Sequence, residues 1–463
     1  MNSSPPTDNP APRRRFNGPS RHARRVIRHV NITVAIVALV LVTLLLIRYV
    51  RINRGLATGS ANADLVWILL SLLLLGFCLT VFLLQPERAK FTNLVWTSIF
   101  WSTALLLVLS GVWYLVDADV REQVGVGAPL VAEQDVDRFL AGVGVARPGV
   151  SDASLPRVPT GVVIQSIVFV DANTVQMNGI IWQRYDASIP SSVSRGFILP
   201  EALSENYRAD KAYDVTNNGT QFIGWYVNAT LRQEFDYRRY PFDRQDFWLR
   251  IWHQDFDRQV ILVPDFSSYA SMNPAARAGL DSDVVAVGWT PEYTAFSYVT
   301  HPYDSTFGYP GAVSEGTFPE LYFNVGLKRD FLGPFFDHVI LNLAVAILLF
   351  VILVLTTNDE EQQKRFGFTA SGVAMASGTL LFAVILKHSQ IRSVVGSQRI
   401  TYLEVLPVVL YLMILLVAVN AILLASPFQI AFIEFRKNIL PVLCYWPFLF
   451  GLILAVTVLV FYV

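Results

Sequence analysis

Seven long apolar runs and one central stretch of short alternating segments outline this chain. Three of the runs come first, at Asn31–Ile47, Leu65–Leu84 and Leu94–Val116. Each is close to the ~20 residues a helix needs to cross the hydrocarbon core of a bilayer. Four more end the chain, at Val339–Leu355, Phe366–Leu386, Val405–Leu424 and Leu440–Val463. The first run is not a signal peptide, because no small-residue cleavage site follows it and two further spans do. Trp67, Trp96, Trp101, Trp113 and Tyr114 lie near span ends, where interfacial aromatic side chains collect.

Residues 117–335 have a different texture. Charge, proline and turn residues become common, and short β-branched runs replace the long apolar ones. Val162–Asp171 reads VVIQSIVFVD and Thr174–Trp182 reads TVQMNGIIW, separated by the turn signal Asp-Ala-Asn. That pattern predicts a hairpin. Further runs at Gln221–Leu231, Asp246–Trp252, Val260–Pro264, Val284–Trp289, Thr294–Thr300 and Leu321–Leu327 predict more strands. No long helical pattern separates them, so a sandwich or barrel is expected. The expected organisation is a basic tail over 1–30, three membrane helices over 31–116 and a linker over 117–158. An antiparallel β-sandwich over 159–335 and a four-helix membrane bundle over 336–463 follow.

Composition agrees with a membrane protein. Hydrophobic residues make up 53% of the 463, and the mean hydropathy of +0.44 is too high for an ordinary soluble domain. Lys+Arg equals Asp+Glu at 36 each, which leaves no excess of positive charge for nucleic acid. Cys78 and Cys444 both lie in apolar runs and cannot make a disulfide framework. Six scattered histidines show no ligand spacing, so neither metal nor cofactor is expected. No Ser/His/Asp order or phosphate-binding glycine loop stands out, and an enzyme is the weakest class. Residues 1–30 carry seven arginines against one acid, Asp8. This tail is expected in the cytoplasm, and three crossings then put the β domain outside it. Arg48, Arg51 and Arg54 run against that orientation, because they fall in an external loop.

The most specific stretch is Leu231–Trp252, LRQEFDYRRYPFDRQDFWLRIW, with Tyr240-Pro241-Phe242-Asp243-Arg244-Gln245 at its centre. Pro241 fixes a tight turn. Tyr240 and Phe242 offer apolar faces, and Asp243 accepts hydrogen bonds from backbone or arginine. An ordinary aromatic turn in a β domain is the plain alternative. The motif resembles the signature loop of the pentameric ligand-gated ion channels, the Cys-loop receptor superfamily. The flanking cysteines of animal members are absent, as they are in prokaryotic members. Order along the chain extends the resemblance over about 159–463. Ile180–Asp186, IIWQRYD, looks like the family's second strand, and Ile251–Asp257, IWHQDFD, occupies the place of a principal-side ligand loop. Val287-Gly288-Trp289 resembles a further family strand, and Tyr298–Phe318 sits where the capping loop belongs. Leu321–Arg329, LYFNVGLKR, looks like the last strand before four helices. The three N-terminal spans have no counterpart in the family.

The resemblance implies a homopentameric ligand-gated ion channel in the cell membrane, here a bacterial inner membrane, passing inorganic ions. It implies a small-molecule ligand held between β domains, by Trp182 and Tyr185 of one subunit and Trp252, Phe256, Tyr298, Tyr303, Phe307 and Tyr309 of the next. Tyr240, Pro241, Phe242, Asp243 and Gln245 would form the coupling loop. The second helix after the domain would line the pore. Two stripes have helical spacing there. One is Thr369, Val373, Ala376, Leu380 and Val384, ending in Lys387; the other is Gly367, Ser371, Ala374, Gly378 and Leu381. The first is the expected lining, since it sets apolar rings mid-membrane, while the glycines of the second suit close helix contact. Asp359, Glu360 and Glu361 precede this helix together with Lys364 and Arg365; acid rings favour cations and basic rings anions, both signs are present, and three acids against two bases lean toward cations. A non-conducting sensor or scaffold with the same β domain is the alternative.

Overall fold

Side chains of a strand point alternately to opposite faces of its sheet, and β3 (Thr174–Tyr185) shows that alternation along its whole length. Val175, Met177 and Ile181 are buried while Thr174, Gln176 and Asn178 are half-buried on the other face. The computed structural model describes residues 21–53, 61–84, 89–118, 125–143, 155–255, 260–303, 318–356, 369–395, 400–426, 433 and 438–462. They fall into two compact units: residues 119–341 with 386–404, and residues 1–118, 342–385 and 405–463.

The first unit holds two sheets. One joins β5 (Ala202–Asn217), β6 (Thr220–Arg232), β3, β2 (Arg157–Phe169) and β8 (Ile261–Pro264) in that order, with β9 (Leu280–Ala286) also on β2. The other has the order β1 (Pro129–Leu130), β10 (Trp289–Thr300), β11 (Pro319–Arg329), β7 (Arg244–His253) and β4 (Phe197–Ile198). β2 and β3 form the expected hairpin, closed by an Asx turn in which the Asn173 amide donates to the Asp171 carboxylate at 2.8 Å. The pairing departs from a purely antiparallel arrangement, because β2 runs parallel to both β8 and β9. The two sheets bury side chains against each other. Phe169 of β2 stacks on Trp289 of β10 at 4.5 Å, and the Tyr298 hydroxyl of β10 donates to the Leu262 carbonyl of β8 at 2.6 Å. Gly279 sits between them with φ +79°, and a Cβ there would meet Phe323 and the Val162 carbonyl at 2.7 Å. Only glycine fits that gap. The stretch 117–158 carries β1, which pairs with β10, and helix α4 (Glu133–Val143).

The second unit is helical. Its N-terminal members are α1 (Arg21–Asn53), α2 (Ala61–Leu84) and α3 (Phe91–Ala118). The later helices are α5 (Leu332–Leu355), α6 (Ala370–Val395), α7 (Val405–Ala425) and α8 (Ile439–Tyr462), of which α5 and α6 each have one end in the first unit. Six helices among the described residues are long and apolar enough to cross a membrane, as in a multi-pass membrane protein. The seventh expected span, over 65–84, is present as α2, but its described apolar part, Asp64–Thr80, is shorter than the other six. Polar groups tie the unit together. Asp64, buried on α2, meets Arg48 of α1 at 3.3 Å. Asn438, at φ +72°, donates to the Leu353 and Thr356 carbonyls at the end of α5 and accepts from Asn420 of α7 at 3.0 Å. These bonds satisfy helix-end carbonyls that water cannot reach in a bilayer.

Candidate functional site

The chain crosses from one sheet to the other between β6 and β7, and this connection contains Tyr240–Gln245. Gln245 holds it closed: its side-chain amide donates to the Asp236 carbonyl and to Asp243, both at 2.8 Å, and its oxygen accepts from the Asp236 amide at 3.1 Å. The Tyr240–Pro241 peptide bond is cis. Asp243 is buried and grips Arg329, the last residue of β11, with Nε–Oδ1 2.6 Å and Nη2–Oδ2 3.0 Å. The Arg329 amide also donates to the Asp243 carbonyl at 3.3 Å. Aromatic faces enclose the guanidinium, with Trp289 at 4.0 Å, Tyr240 at 4.8 Å and Tyr237 at 5.9 Å. Two hydrogen bonds and three ring faces offset much of what burying this charge costs. Burial pushes the Tyr237 hydroxyl up to about 12.

The same loop reaches two further segments. Phe242 is buried against Phe331, just before α5, against Phe335 in the first turn of α5, and against Tyr402 at 6.1 Å. The Tyr402 amide donates to the Arg238 carbonyl at 2.9 Å, and the Leu403 amide to the Tyr240 carbonyl at 3.2 Å. Glu404 then reaches both ways. Its Oε2 accepts from the Thr401 amide at 2.9 Å, and its Oε1 meets Arg392 of α6 at 2.9 Å and His388 at 3.7 Å. A single loop is therefore bonded to the end of β11 and to the 401–404 turn, and that turn is bonded to the last turns of α6. Thr401-x-x-Glu404 before an apolar run is a capping-box pattern, so the first half of this link was readable in the sequence. The tie to Arg392 was not.

The expected ligand residues separate into a core pair and two clusters. Tyr185 and Tyr298 are 2% exposed. Tyr185 donates to Gln183 at 2.6 Å and accepts from the Gly196 amide, with Arg195 over its ring at 4.1 Å. Burial pushes its hydroxyl up to about 12. Both tyrosines are buried in their own chain's interior. Trp182 lies over Gly161, whose missing side chain makes room for the indole ring. Its Nε1 donates to buried Asp265 at 2.9 Å, beside Arg184 and Tyr269.

The second cluster holds Trp252 and Tyr303, edge to face at 6.0 Å. Arg250 sits between them and two carboxylates: it donates to Glu201, meets Glu320 at 3.3 Å and lies 5.4 Å from the Trp252 ring. The Tyr303 hydroxyl donates to Glu320 at 2.6 Å, and His301 shares a hydrogen bond with Tyr322 at 2.8 Å. Burial holds the Glu201 carboxyl above the usual range, against the opposing pull of Arg250. Sequence reasoning missed Arg250, Glu201 and Glu320, because 49 and 70 residues separate the partners and no local pattern marks them. Phe256, Phe307, Tyr309, Asp359, Glu360 and Glu361 lie outside the described residues.

On α6 the expected stripe is largely the packed face of the chain. Val373 and Val384 are buried, Ala376, Leu380 and Lys387 half-buried. Thr369 is exposed, and its hydroxyl accepts from the Gly372 amide at 3.2 Å, as an N-cap does. Of the other stripe, Ser371, Ala374, Gly378 and Leu381 are exposed, along with Met375, Phe382 and Ile385, while Gly367 lies outside the described residues. Among the described residues, no group of three or more His, Cys, Asp or Glu side chains is arranged to hold a metal ion. No protein-family model matches the chain, and no curated protein matches its sequence.

Proposed function

We propose that the chain is one subunit of a homopentameric ligand-gated ion channel, built like the Cys-loop receptors its signature loop resembles. The observation that carries this reading is the triple attachment of Tyr240–Gln245. It is bonded to Arg329, where β11 ends three residues before α5 begins, and through 402–404 it is joined to the end of α6. A shift of the loop would move both helix ends together, as a device converting ligand binding into pore opening requires. The two sheets then form an extracytoplasmic β-sandwich, and α5–α8 a four-helix pore domain.

A ligand between neighbouring β domains would meet Trp252 and Tyr303 from one chain and the Trp182 cluster from the next. Its difference in affinity between open and closed states would supply the bias. For the pore, the exposed face of α6 fits better than the packed one, since a lining residue must be free of its own chain. Ser371, Ala374, Gly378 and Leu381 are the lining proposed here. The first test is stoichiometry and conduction together. Protein purified in nanodiscs should weigh as five copies of the 51.8 kDa chain and should pass ions when moved into planar bilayers. A monomer that passes no ions would favour the non-conducting sensor.

A further inference from the structure

Four valines are exposed together at one end of the β unit. Val168 and Val170, at the end of β2, are 37% and 57% exposed, and Val285 and Val287, at the end of β9, are 53% and 69% exposed. The register puts them on one face. β2 and β9 run parallel, with Ser166 beside Val285 and Ile167 beside Ala286. Alternate residues of a strand share a face. All four valines therefore stand on the side of Ser166, while Ile167 turns inward and is buried. A polar row bounds the patch. From Val285 and Ser166 it continues through Asn178, Asn228 and Arg208 on β3, β6 and β5.

This end of the β unit is tied to the start of a membrane-spanning helix. The Gly288 carbonyl, next to Val287, accepts from the Asp330 amide at 3.0 Å, and the Thr290 hydroxyl donates to the Asp330 carboxylate at 2.8 Å. Phe169, between Val168 and Val170, stacks on Trp289 at 4.5 Å, and Trp289 pairs with Arg329 across β10 and β11. Asp330 stands two residues before Leu332, where α5 begins. α5 is an apolar span of 24 residues, about 36 Å long at 1.5 Å per residue. That exceeds the ~30 Å hydrocarbon core and falls within the ~40–45 Å that includes the headgroup layers. The start of α5 therefore lies among the headgroups, where Leu332 and Phe336 are exposed. A turn one hydrogen bond from Asp330 lies at the same depth.

We infer that Val168, Val170, Val285 and Val287 form a membrane contact of the β unit, dipping into the interfacial layer of the bilayer beside the start of α5. Side chains of this kind insert by removing apolar surface from water. No residue flanking the four valines in sequence is basic, and Asp171 is acidic, so attraction to anionic headgroups is not what holds the patch. Four side chains also fall far short of the ~20 residues a side of a stable contact between proteins. The partner is the bilayer and not a second copy of the chain. The contact stands on the membrane character of α5 and not on the channel reading.

The test uses the full chain lacking Cys78 and Cys444, reconstituted in phosphatidylcholine vesicles. A bimane is attached to a single cysteine at Val168, Val170, Val285 or Val287, or at Val215 of β5, which is 55% exposed and outside the patch. Part of the lipid carries a nitroxide near the carboxyl end of one acyl chain. Quenching by this lipid should be several-fold stronger at 285 and 287 than at 215, and quenching by aqueous iodide should follow the opposite order. Val287→Asp should at least halve the lipid quenching of a label at 285, and Val285→Asp that of a label at 287. Both positions are exposed, so the fold should survive, as the thermal midpoint will report. Added phosphatidylglycerol should leave the pattern unchanged. Equal lipid quenching at 215 and in the patch, or quenching unchanged in both aspartate variants, would overturn the contact. So would quenching that needs phosphatidylglycerol. Protection from lipid and iodide alike would also overturn it, because that result marks a second copy over the patch.

Discussion

Asp243 and Arg329 are 86 residues apart in sequence and joined by two side-chain hydrogen bonds and one backbone bond. Asp243 has no exposed side-chain surface, and Arg329 has little. Removing one partner would leave a buried charge without its counter-charge, at about 3–5 kcal/mol. Asp243→Ala should therefore lower the thermal midpoint and reduce coupling as well. The cleaner probe is the cycle Asp243→Asn, Arg329→Gln and the double variant. A coupling energy within about 0.5–3 kcal/mol in thermal unfolding is expected. Additive effects would mean that the pair does not act as a unit.

Glu404 should matter to gating more than to assembly. Glu404→Gln keeps a hydrogen bond to the Thr401 amide but loses the charge that holds Arg392. The expected stability loss is about 0.5–1.5 kcal/mol, with the oligomer intact on size-exclusion chromatography and the open probability changed in bilayers. Arg392→Gln should reproduce the change in opening. Unchanged opening in both variants would remove this turn from the coupling path.

Acid should weaken the β unit through His253. Burial holds this imidazole below its ordinary value of 6.5. The unfolded chain then takes up the proton first, so stability present above 6.5 is lost as pH falls toward the lower folded value. Thermal midpoints of the full chain should drop between about pH 7 and about pH 5. His253→Gln should flatten that part of the curve. A midpoint that rises over the same interval would contradict the assignment.

The proposed topology rests on the arginine-rich tail and has a direct test. Single cysteines on exposed positions of β5, such as Glu205 or Lys211, should react with an impermeant thiol reagent added outside intact cells. Cysteines in residues 1–20 should react only after lysis. The reverse pattern would invert the orientation.

Much of this was legible because the signals are local. Apolar run length marked the helices, alternation marked β3, and Asp171-Ala172-Asn173 marked the hairpin. The Tyr240–Gln245 turn stood out by its residue types. Other features depend on partners distant in sequence. β5 is sixteen residues of almost wholly exposed side chains that pair only with β6, so no apolar alternation betrays it. The parallel pairing of β8 and β9 with β2 leaves no local signature either. Tyr185 and Tyr298 looked like ligand residues because aromatic type and motif position do not report burial. The α6 register was ambiguous because small residues fill both stripes, and burial within the chain separates them.

If α6 lines a conducting pathway, its open face must be reachable from water while current flows. Single cysteines at Ser371, Ala374, Gly378 and Leu381, and at Val373, Ser377 and Val384, are made in a chain lacking Cys78 and Cys444. Each is reconstituted in planar bilayers and exposed to a charged methanethiosulfonate during recording. The unmodified protein should carry current, and that current should be blocked or altered at 371, 374, 378 and 381 with little effect at 373, 377 and 384. Absence of current under all conditions, or current that no position along α6 alters, would contradict it.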